Sequence, residues 1–212
     1  MKDGRCKMND VRWKIILASN SPRRKELLAG FDLQFEVRVL QDIDESYPED
    51  LPTQEIAEFI SKKKADAYVK TMADDELVIT ADTVVILGNV VMGKPHDEAE
   101  AKRMLGELSG QTHQVTTGVT LSTKERQMSF SVVTDVTFKQ LSSDEIDYYV
   151  RTYHPMDKAG AYGIQEWIGY IGVTALNGSY FNVMGLPVQR IYEALRTFSD
   201  LGQSVALHSS KL

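Results

Sequence analysis

The chain has 212 residues, 42% of them hydrophobic and 25% charged, proportions typical of an ordinary soluble globular protein. Its formal net charge of −6 argues against a broad surface for nucleic acid or for an anionic membrane, because both attract an excess of Lys and Arg. A single cysteine, Cys6, excludes an internal disulfide, and the sequence contains no stretch of about 20 apolar residues that could span a membrane.

The first predicted elements are a strand, a helix and an acidic loop. The apolar run at 15–18 is too short for the core of a signal peptide, so we expect a buried strand in a cytoplasmic protein. Ser21 and Pro22 are typical of the cap and first residue of a helix, which Gly30 would end. Three elements should follow in order: a strand at 35–40, a loop at 41–52 and a helix at 53–68.

The remainder of the chain intermixes strands and helices. β-branched runs flank residues 81–83, which we predict as an interruption of a strand, and Gly88-Asn89 is typical of a tight hairpin turn. Two capping pairs predict helices: Asp97 with Glu100, and Ser142 with Glu145. The other predictions are strands at 115–121, 128–133, 136–138 and 168–173, a hairpin turn at 177–179 and a helix at 187–198. This order favours one domain, 1–212, with a mixed α/β sheet.

The first segment that could carry chemistry is ASNSPRRK at 18–25. A helix N-terminus offers unpaired backbone N–H groups that suit a phosphate, and Arg23 and Arg24 add donors for phosphate oxygens. The alternative is a capped helix with a solvated basic turn. Because cations in a first helical turn oppose the helix dipole, we favour the anion site.

Asp82 is the second candidate, because an unpaired carboxylate in such an apolar stretch would cost several kcal/mol. A divalent cation could pair with it, and the loop acids Asp42, Asp44 and Glu45 could add a second carboxylate ligand. The alternative is that Asp82 only accepts backbone hydrogen bonds at the strand interruption. The lysines at 62–64 interrupt the apolar pattern of the helix predicted at 53–68, so at least one of them could face a cleft.

The segment GNVVMGK at 88–94 matches the first seven positions of a P-loop, but we reject that motif. Pro95 stands where a P-loop needs a Ser or Thr hydroxyl for magnesium, and the turn at Gly88-Asn89 predicts a hairpin instead of a helix. Lys94 is then either a phosphate contact or a solvated turn lysine. A P-loop kinase is accordingly a weak rival.

The last candidate segment is DKAGAYGIQ at 157–165, whose two glycines permit close backbone approach to a ligand and whose Gln165 could read a base edge. An ordinary glycine-rich connector is an equally good interpretation. His113 has no neighbouring His or Cys at metal-ligand spacing, so we interpret it as structural.

Taken together and in this order, these segments resemble the Maf family of nucleoside triphosphate pyrophosphatases, over about Lys14 to Leu195. Residues 1–13 and 199–212 fall outside the resemblance and are expected to be flexible ends. The segments that carry it are LASNSPRRKELL at 17–28, Asp44-Glu45, TADTVV at 80–85, GKP at 93–95, LSGQTHQV at 108–115, DKAGAYGIQ at 157–165 and NGSYFNVMGLP at 177–187.

The resemblance implies an elongated mixed α/β sheet flanked by helices, with two lobes around a cleft, similar to inosine triphosphate pyrophosphatases. It implies Asp82 as the acid-base and metal-site residue, with Glu45 as the second metal ligand. The other cleft residues it implies are Ser19, Arg24, Lys64 and Lys94. Residues at the positions associated with the dTTP- and UTP-preferring branch are Arg23, Thr83 and Gln165.

Two departures from the family pattern stand out: Gly93 precedes Lys94 where some members carry an acid, and Glu166-Trp167 follow Gln165 where many carry a glycine. The implied enzyme is a nucleotide diphosphatase that uses Mg²⁺ or Mn²⁺ to cut dTTP and UTP, or modified pyrimidine nucleotides, to the monophosphate and pyrophosphate. We expect a nucleoside triphosphate as its partner, no nucleic acid or membrane, and leave a homodimer open. The alternative is a non-catalytic nucleotide-binding regulator of cell division.

Overall fold

Within residues 13–209, the part of the chain that the computed structural model describes, seven strands form one mixed sheet. The strands are β1 (Lys14–Leu17), β2 (Phe35–Val37), β3 (Glu76–Leu87), β4 (Val90–Met92), β5 (Thr112–Ser122), β6 (Gln127–Phe138) and β7 (Val173–Asn177). They lie in the order β2-β1-β3-β5-β6-β7, and β4 pairs with β3. The first three are parallel, and the remaining pairs are antiparallel.

Helices cover the sheet, so the predicted mixed α/β architecture is confirmed. They are α1 (Pro22–Ala29), α2 (Ile56–Val69), α3 (Glu98–Leu108), α4 (Ser143–Tyr153), α5 (Trp167–Gly172), α6 (Tyr180–Val183) and α7 (Val188–Ser209), with short 3₁₀ turns at Thr53–Glu55 and Ala159–Ala161. The predicted caps are also confirmed: Ser21, Asp97 and Ser142 each accept a hydrogen bond from the backbone N–H three residues later.

Side chains alternate between the two faces of the sheet, which decides what each strand residue meets. Ile15 and Leu17 of β1 pack in the main core, whereas Ile16 packs against α2 on the opposite face. Along β3 the same alternation sends Val84 and Ile86 toward α2. Position 82 therefore shares a face with α2, and position 83 faces the other way.

Strand β3 corrects one prediction, because it runs without interruption through residues 81–83. Asp82 pairs in register with Gly118 of β5, and both neighbours of Asp82 stay in the ladder. An added Cβ at Gly118 would lie 2.2 Å from the backbone of Ala57, so this glycine lets α2 lie directly on the sheet. The acid at position 82 suggested a break because its partner is distant in sequence.

The segment after the glycine-rich loop corrects two more predictions. The segment predicted as a strand at 168–173 lies in helix α5 up to Gly172, and β7 begins only at Val173. Asn177-Gly178 is not a hairpin turn, because Ser179 caps α6 by accepting from the Asn182 N–H at 3.3 Å. Other differences are boundaries: the strand predicted at 35–40 ends at 37, and the strands predicted at 128–133 and 136–138 are one strand, β6.

The ends of the chain stay largely untested. Residues 1–12, which include Cys6, and residues 210–212 lie outside the described part, while α7 extends to Ser209. The flexible ends at 1–13 and 199–212 therefore stay a prediction. Among the described residues, no helix combines the length and the apolar character that crossing a membrane requires.

Candidate active site

The structure brings all nine predicted site residues to one cleft, formed by two adjoining cavities beside α1, α2 and β3. Five of them line both cavities: Arg23, Arg24, Glu45, Lys64 and Lys94. Asp82, Thr83 and Gln165 line the first cavity, and Ser19 lines the second. Their locations thus agree with a shared site, while their chemical roles stay predictions.

Lys64 joins the two carboxylates at one end of the cleft. Its Nζ lies 2.8 Å from Asp82 Oδ1 and 3.1 Å from Glu45 Oε1. Strand alternation puts Asp82 on the α2 side of the sheet, which is why a helix lysine reaches it. The partner that the sequence demanded for Asp82 is therefore Lys64, and the backbone-only alternative is wrong.

The residues one position earlier in each segment, Lys63 and Asp44, also form an ion pair, and this pair anchors the acidic loop to α2. Lys63 Nζ lies 2.6 Å from Asp44 Oδ2 and donates to the Ser46 carbonyl at 2.9 Å. Hydrogen bonds that Asp44 accepts from Lys63 above all, and from the Ser46 N–H and hydroxyl, hold the pKa of its carboxyl well below the usual range. Of the three candidate loop acids, Glu45 is the one that pairs with Lys64, so consecutive lysines grip consecutive acids.

Arg24 is a partly buried crosslink more than an open phosphate ligand. Its Nε donates to the Gly185 carbonyl and its Nη1 to the Ala81 carbonyl, both at 2.8 Å, and Nη2 donates to Thr83 Oγ1 at 3.1 Å. Burial lowers the pKa of its guanidinium, although the charge of Asp82 opposes this. Of five N–H donors, two are left for a ligand.

The start of α1 is arranged differently from the open anion site that we predicted. Ser21 Oγ accepts from the Arg24 N–H at 3.4 Å, and buried Ser19 accepts from the Ser21 N–H at 3.2 Å. The side chain of Arg23, the second residue of α1, pairs with Asp157 at 3.0 Å. Two backbone N–H groups at the start of α1 are therefore already hydrogen-bonded within the protein. The positive charge in the cleft comes from Lys and Arg side chains.

The glycine-rich segment forms the opposite wall of the cleft. Its Gly160 N–H donates to the Gly93 carbonyl at 3.0 Å, which ties it to the residue before Lys94. Gln165 Oε1 is buried, and within residues 13–209 no group donates a hydrogen bond to it. An acceptor buried without a partner indicates a place where a ligand donor would bind. Lys158, which we did not single out from the sequence, also lines this wall.

His113 lies behind that wall in the core, as its lack of metal-ligand neighbours suggested. Its Nε2 hydrogen bonds to the Tyr162 hydroxyl at 2.8 Å, and its ring meets those of Tyr162 and Phe138 edge to face. Burial lowers the pKa of its imidazole to about 4. His113 is therefore a neutral core residue near neutral pH.

The hairpin confirms that the P-loop match is false. Leu87 pairs with Val90 across the turn, and Gly88 has a φ of 60°, as this tight turn requires. No helix starts at Lys94 in the described structure, since α3 begins at Glu98. Lys94 instead stands exposed at the mouth of the cleft, beside Gly93.

The cleft offers hard oxygen donors for a divalent cation without a preformed cage. In the described part of the chain, no three His, Cys, Asp or Glu side chains gather as metal ligands. Asp82 and Glu45 supply two carboxylates. Mg²⁺ is usually held by one or two carboxylates together with substrate phosphates, so this donor set fits a cation that arrives with a nucleotide.

Comparison with known proteins gives a consistent family assignment. Residues 14–198 match the family described as Maf-like protein. A dTTP/UTP pyrophosphatase of Phocaeicola vulgatus is 63% identical over 89% of this chain and 97% of its own length. Proteins of the same name from Parabacteroides distasonis and Porphyromonas gingivalis are 58% and 51% identical, over 90% and 91% of this chain and 98% of each relative.

Proposed function

The chain belongs to the Maf family, and from that premise we propose that it hydrolyses dTTP and UTP to the monophosphate and pyrophosphate. Support comes from relatives at 51–63% identity that are named dTTP/UTP pyrophosphatase and are matched over nearly their whole length. The reaction class is that of a nucleotide diphosphatase, an acid-anhydride hydrolase.

One observation of the cleft carries this proposal. Among the described residues that line its first cavity, five are cationic and three are acidic, whereas the whole chain has a net charge of −6. The cations are Arg23, Arg24, Lys64, Lys94 and Lys158. A local excess of positive charge in an acidic protein suits a polyanionic tail such as a triphosphate.

The reaction transfers the nucleotidyl group, the α-phosphoryl group with its nucleoside attached, to water. The water oxygen forms a bond to the α-phosphorus, the bond from that phosphorus to the bridging oxygen breaks, and pyrophosphate leaves. Asp82 is the group that would accept the proton of the attacking water. Lys64, held 2.8 Å from that carboxylate, and Lys94 at the mouth would neutralise charge that grows on the leaving group.

Asp82 and Glu45 would hold the divalent cation, Mg²⁺ or Mn²⁺. A bound cation of this kind supplies Lewis acidity at the phosphoryl oxygens. Lys64, which pairs with both carboxylates here, would then be free to shift toward the phosphates.

Gln165 gives a reason for a preference for uracil and thymine. Both bases carry an N3–H donor, whereas cytosine presents an acceptor at that position. The buried, unpartnered Gln165 Oε1 can accept from N3–H and would face an acceptor in CTP. The same contact would accept pyrimidines modified away from N3, so the proposal extends to modified uridine nucleotides.

Pyrophosphate release tests the proposal. We expect release from UTP and dTTP with Mg²⁺ or Mn²⁺, much slower release from CTP, ATP and GTP, and none with a chelator. A chain that binds UTP but releases no pyrophosphate with either metal would contradict the enzyme and support the alternative, a nucleotide-binding regulator of cell division. Formation of UDP and phosphate would contradict the cleaved bond.

A further inference from the structure

One group of charged side chains, the Lys64 group, consists of Lys64, Asp82 and Glu45. A second group runs along the loop wall of the cleft, which is the wall formed by the glycine-rich segment. It alternates in sign: Arg23 pairs with Asp157, Asp157 with Lys158, and Lys158 with Glu166, at 3.0, 2.7 and 3.2 Å. Glu166 Oε2 then accepts a hydrogen bond from the hydroxyl of Tyr149. This chain of contacts connects α1 to α4 through the loop 157–166.

The contacts among Lys158, Glu166 and Tyr149 are buried, so disturbing them would cost stability. Only 9% of the Lys158 side chain and 20% of the Glu166 side chain are exposed, and Tyr149 is fully buried. Removing the carboxylates that pair with a buried cation strongly destabilises the folded protein. Burial and the neighbouring Glu166 raise the pKa of the Tyr149 hydroxyl, so it keeps its proton and stays a donor.

The same Tyr149 hydroxyl also holds the backbone beside Gln165. It accepts from the Gly163 N–H at 3.0 Å, and the Glu166 N–H donates to the Gly163 carbonyl, also at 3.0 Å. A Cβ at Gly163 would lie 2.9 Å from the Glu166 carboxyl carbon and 3.0 Å from Gln165 Nε2. The turn that presents Gln165 is thus packed directly against the Glu166 carboxylate.

We propose that Glu166, acting through Tyr149 and Lys158, is a positioning residue that sets base selectivity by fixing the turn on which Gln165 lies. In this proposal Gln165 Oε1 contacts the base. Glu166 lies behind Gln165, where it binds Lys158 and the Tyr149 hydroxyl. The proposal rests on the proposed function only for the choice of nucleotide. It assigns to Glu166 a role in discrimination between bases and none in bond cleavage.

Two variants test this role: Glu166→Gln, which removes the charge that pairs with Lys158, and Tyr149→Phe, which removes the hydroxyl that bonds both Glu166 and Gly163. We expect the KM for UTP to rise about tenfold and the preference for UTP over CTP to fall by a similar factor, because a displaced turn misplaces the amide. The kcat for UTP should stay within about twofold, because the Lys64 group is untouched.

Glu145→Gln is the matched control. Glu145 lies on the same helix α4, pairs with Lys139 at 2.6 Å and caps its helix, but does not line the cleft. It should lower the melting temperature without changing KM or the UTP-to-CTP ratio. Melting temperatures of all three variants separate loss of fold from loss of position.

Binding of a non-hydrolysable UTP analogue, followed by calorimetry, distinguishes this inference from the proposed function. If the unaltered chain cleaves UTP and both variants keep its KM and its UTP-to-CTP ratio, the positioning role is wrong. If the unaltered chain binds the analogue without cleaving UTP, the proposed function is wrong, and weaker binding by the two variants would still support the positioning role. An unaltered chain that neither binds nor cleaves would overturn both.

Discussion

The two walls of the cleft hold their charged groups in different ways. On one wall, Asp82 and Lys64 come from the middle of strand β3 and of helix α2, and the sheet register fixes where they meet. On the other, Gln165 and Lys158 lie on a loop whose shape depends on ion pairs. Regular structure therefore holds Asp82 and Lys64, and a loop held by ion pairs presents Gln165, the group proposed to meet the base.

The largest expected effect comes from the strand wall. Asp82→Asn should reduce kcat by about 10³-fold, because the amide cannot take a proton and is a poorer cation ligand. Steady-state pyrophosphate release with UTP measures it. Asp135→Asn on strand β6, which β5 separates from β3, also loses a carboxylate; it is the control and should keep kcat. Near-normal turnover by the Asp82 variant would remove the assignment.

Next in size, the neighbouring lysines of α2 should differ sharply. Lys64→Gln removes the ammonium next to Asp82 and should reduce kcat by about 10²-fold. Lys63→Gln removes the exposed contacts with Asp44 and Ser46 and should change kcat by less than about threefold. Parallel kinetics of the two variants measure the difference. Equal losses would mean that anchoring the acidic loop, and not charge in the cleft, is what matters.

On the loop wall, Gln165→Ala should change selectivity more than rate. Loss of the proposed hydrogen bond from the base N3–H to the buried Gln165 Oε1 should raise the KM for UTP about tenfold and leave kcat nearly unchanged. The ratio of kcat/KM for UTP to that for CTP reports it. A fall in kcat with an unchanged UTP-to-CTP ratio would mean that Gln165 contacts the phosphates and not the base. The two walls would then not differ in function.

The smallest effect concerns the core behind the loop wall. Burial lowers the His113 pKa from an ordinary 6.5 to about 4, so below pH 6.5 the unfolded chain binds a proton that the folded chain does not. Stability should therefore fall as the pH falls from 6.5 toward 4, by about 1 kcal/mol at pH 5.5. Urea unfolding of His113→Phe should show a flatter pH dependence, whereas exposed His96→Gln should retain the slope of the unaltered chain.

Local features of the fold were predictable from the sequence, since a cap or a tight turn depends on residues a few positions apart. Ser21, Asp97 and Ser142 all cap as their spacing indicated. The uninterrupted β3 was not predictable in this way, because the partner of Asp82 is 18 residues distant on α2.

The site shows the same division. The resemblance identified residues that the fold does gather in one cleft, but it could not show how they pair. Arg24 bonds to Gly185, 161 residues away, and Arg23 to Asp157, 134 residues away. Such contacts leave no periodic signal in the sequence, which is why the crosslinking role of Arg24 and the ion pairs of Lys158 emerge only from the fold.

The cleft is proposed to direct water to the α-phosphorus of a pyrimidine nucleoside triphosphate. Hydrolysis of UTP in ¹⁸O-labelled water, followed by mass spectrometry of both products, tests it directly. We expect one labelled oxygen in UMP and none in pyrophosphate. Label in pyrophosphate, or UDP with labelled phosphate, would place the attack at another phosphorus and contradict it.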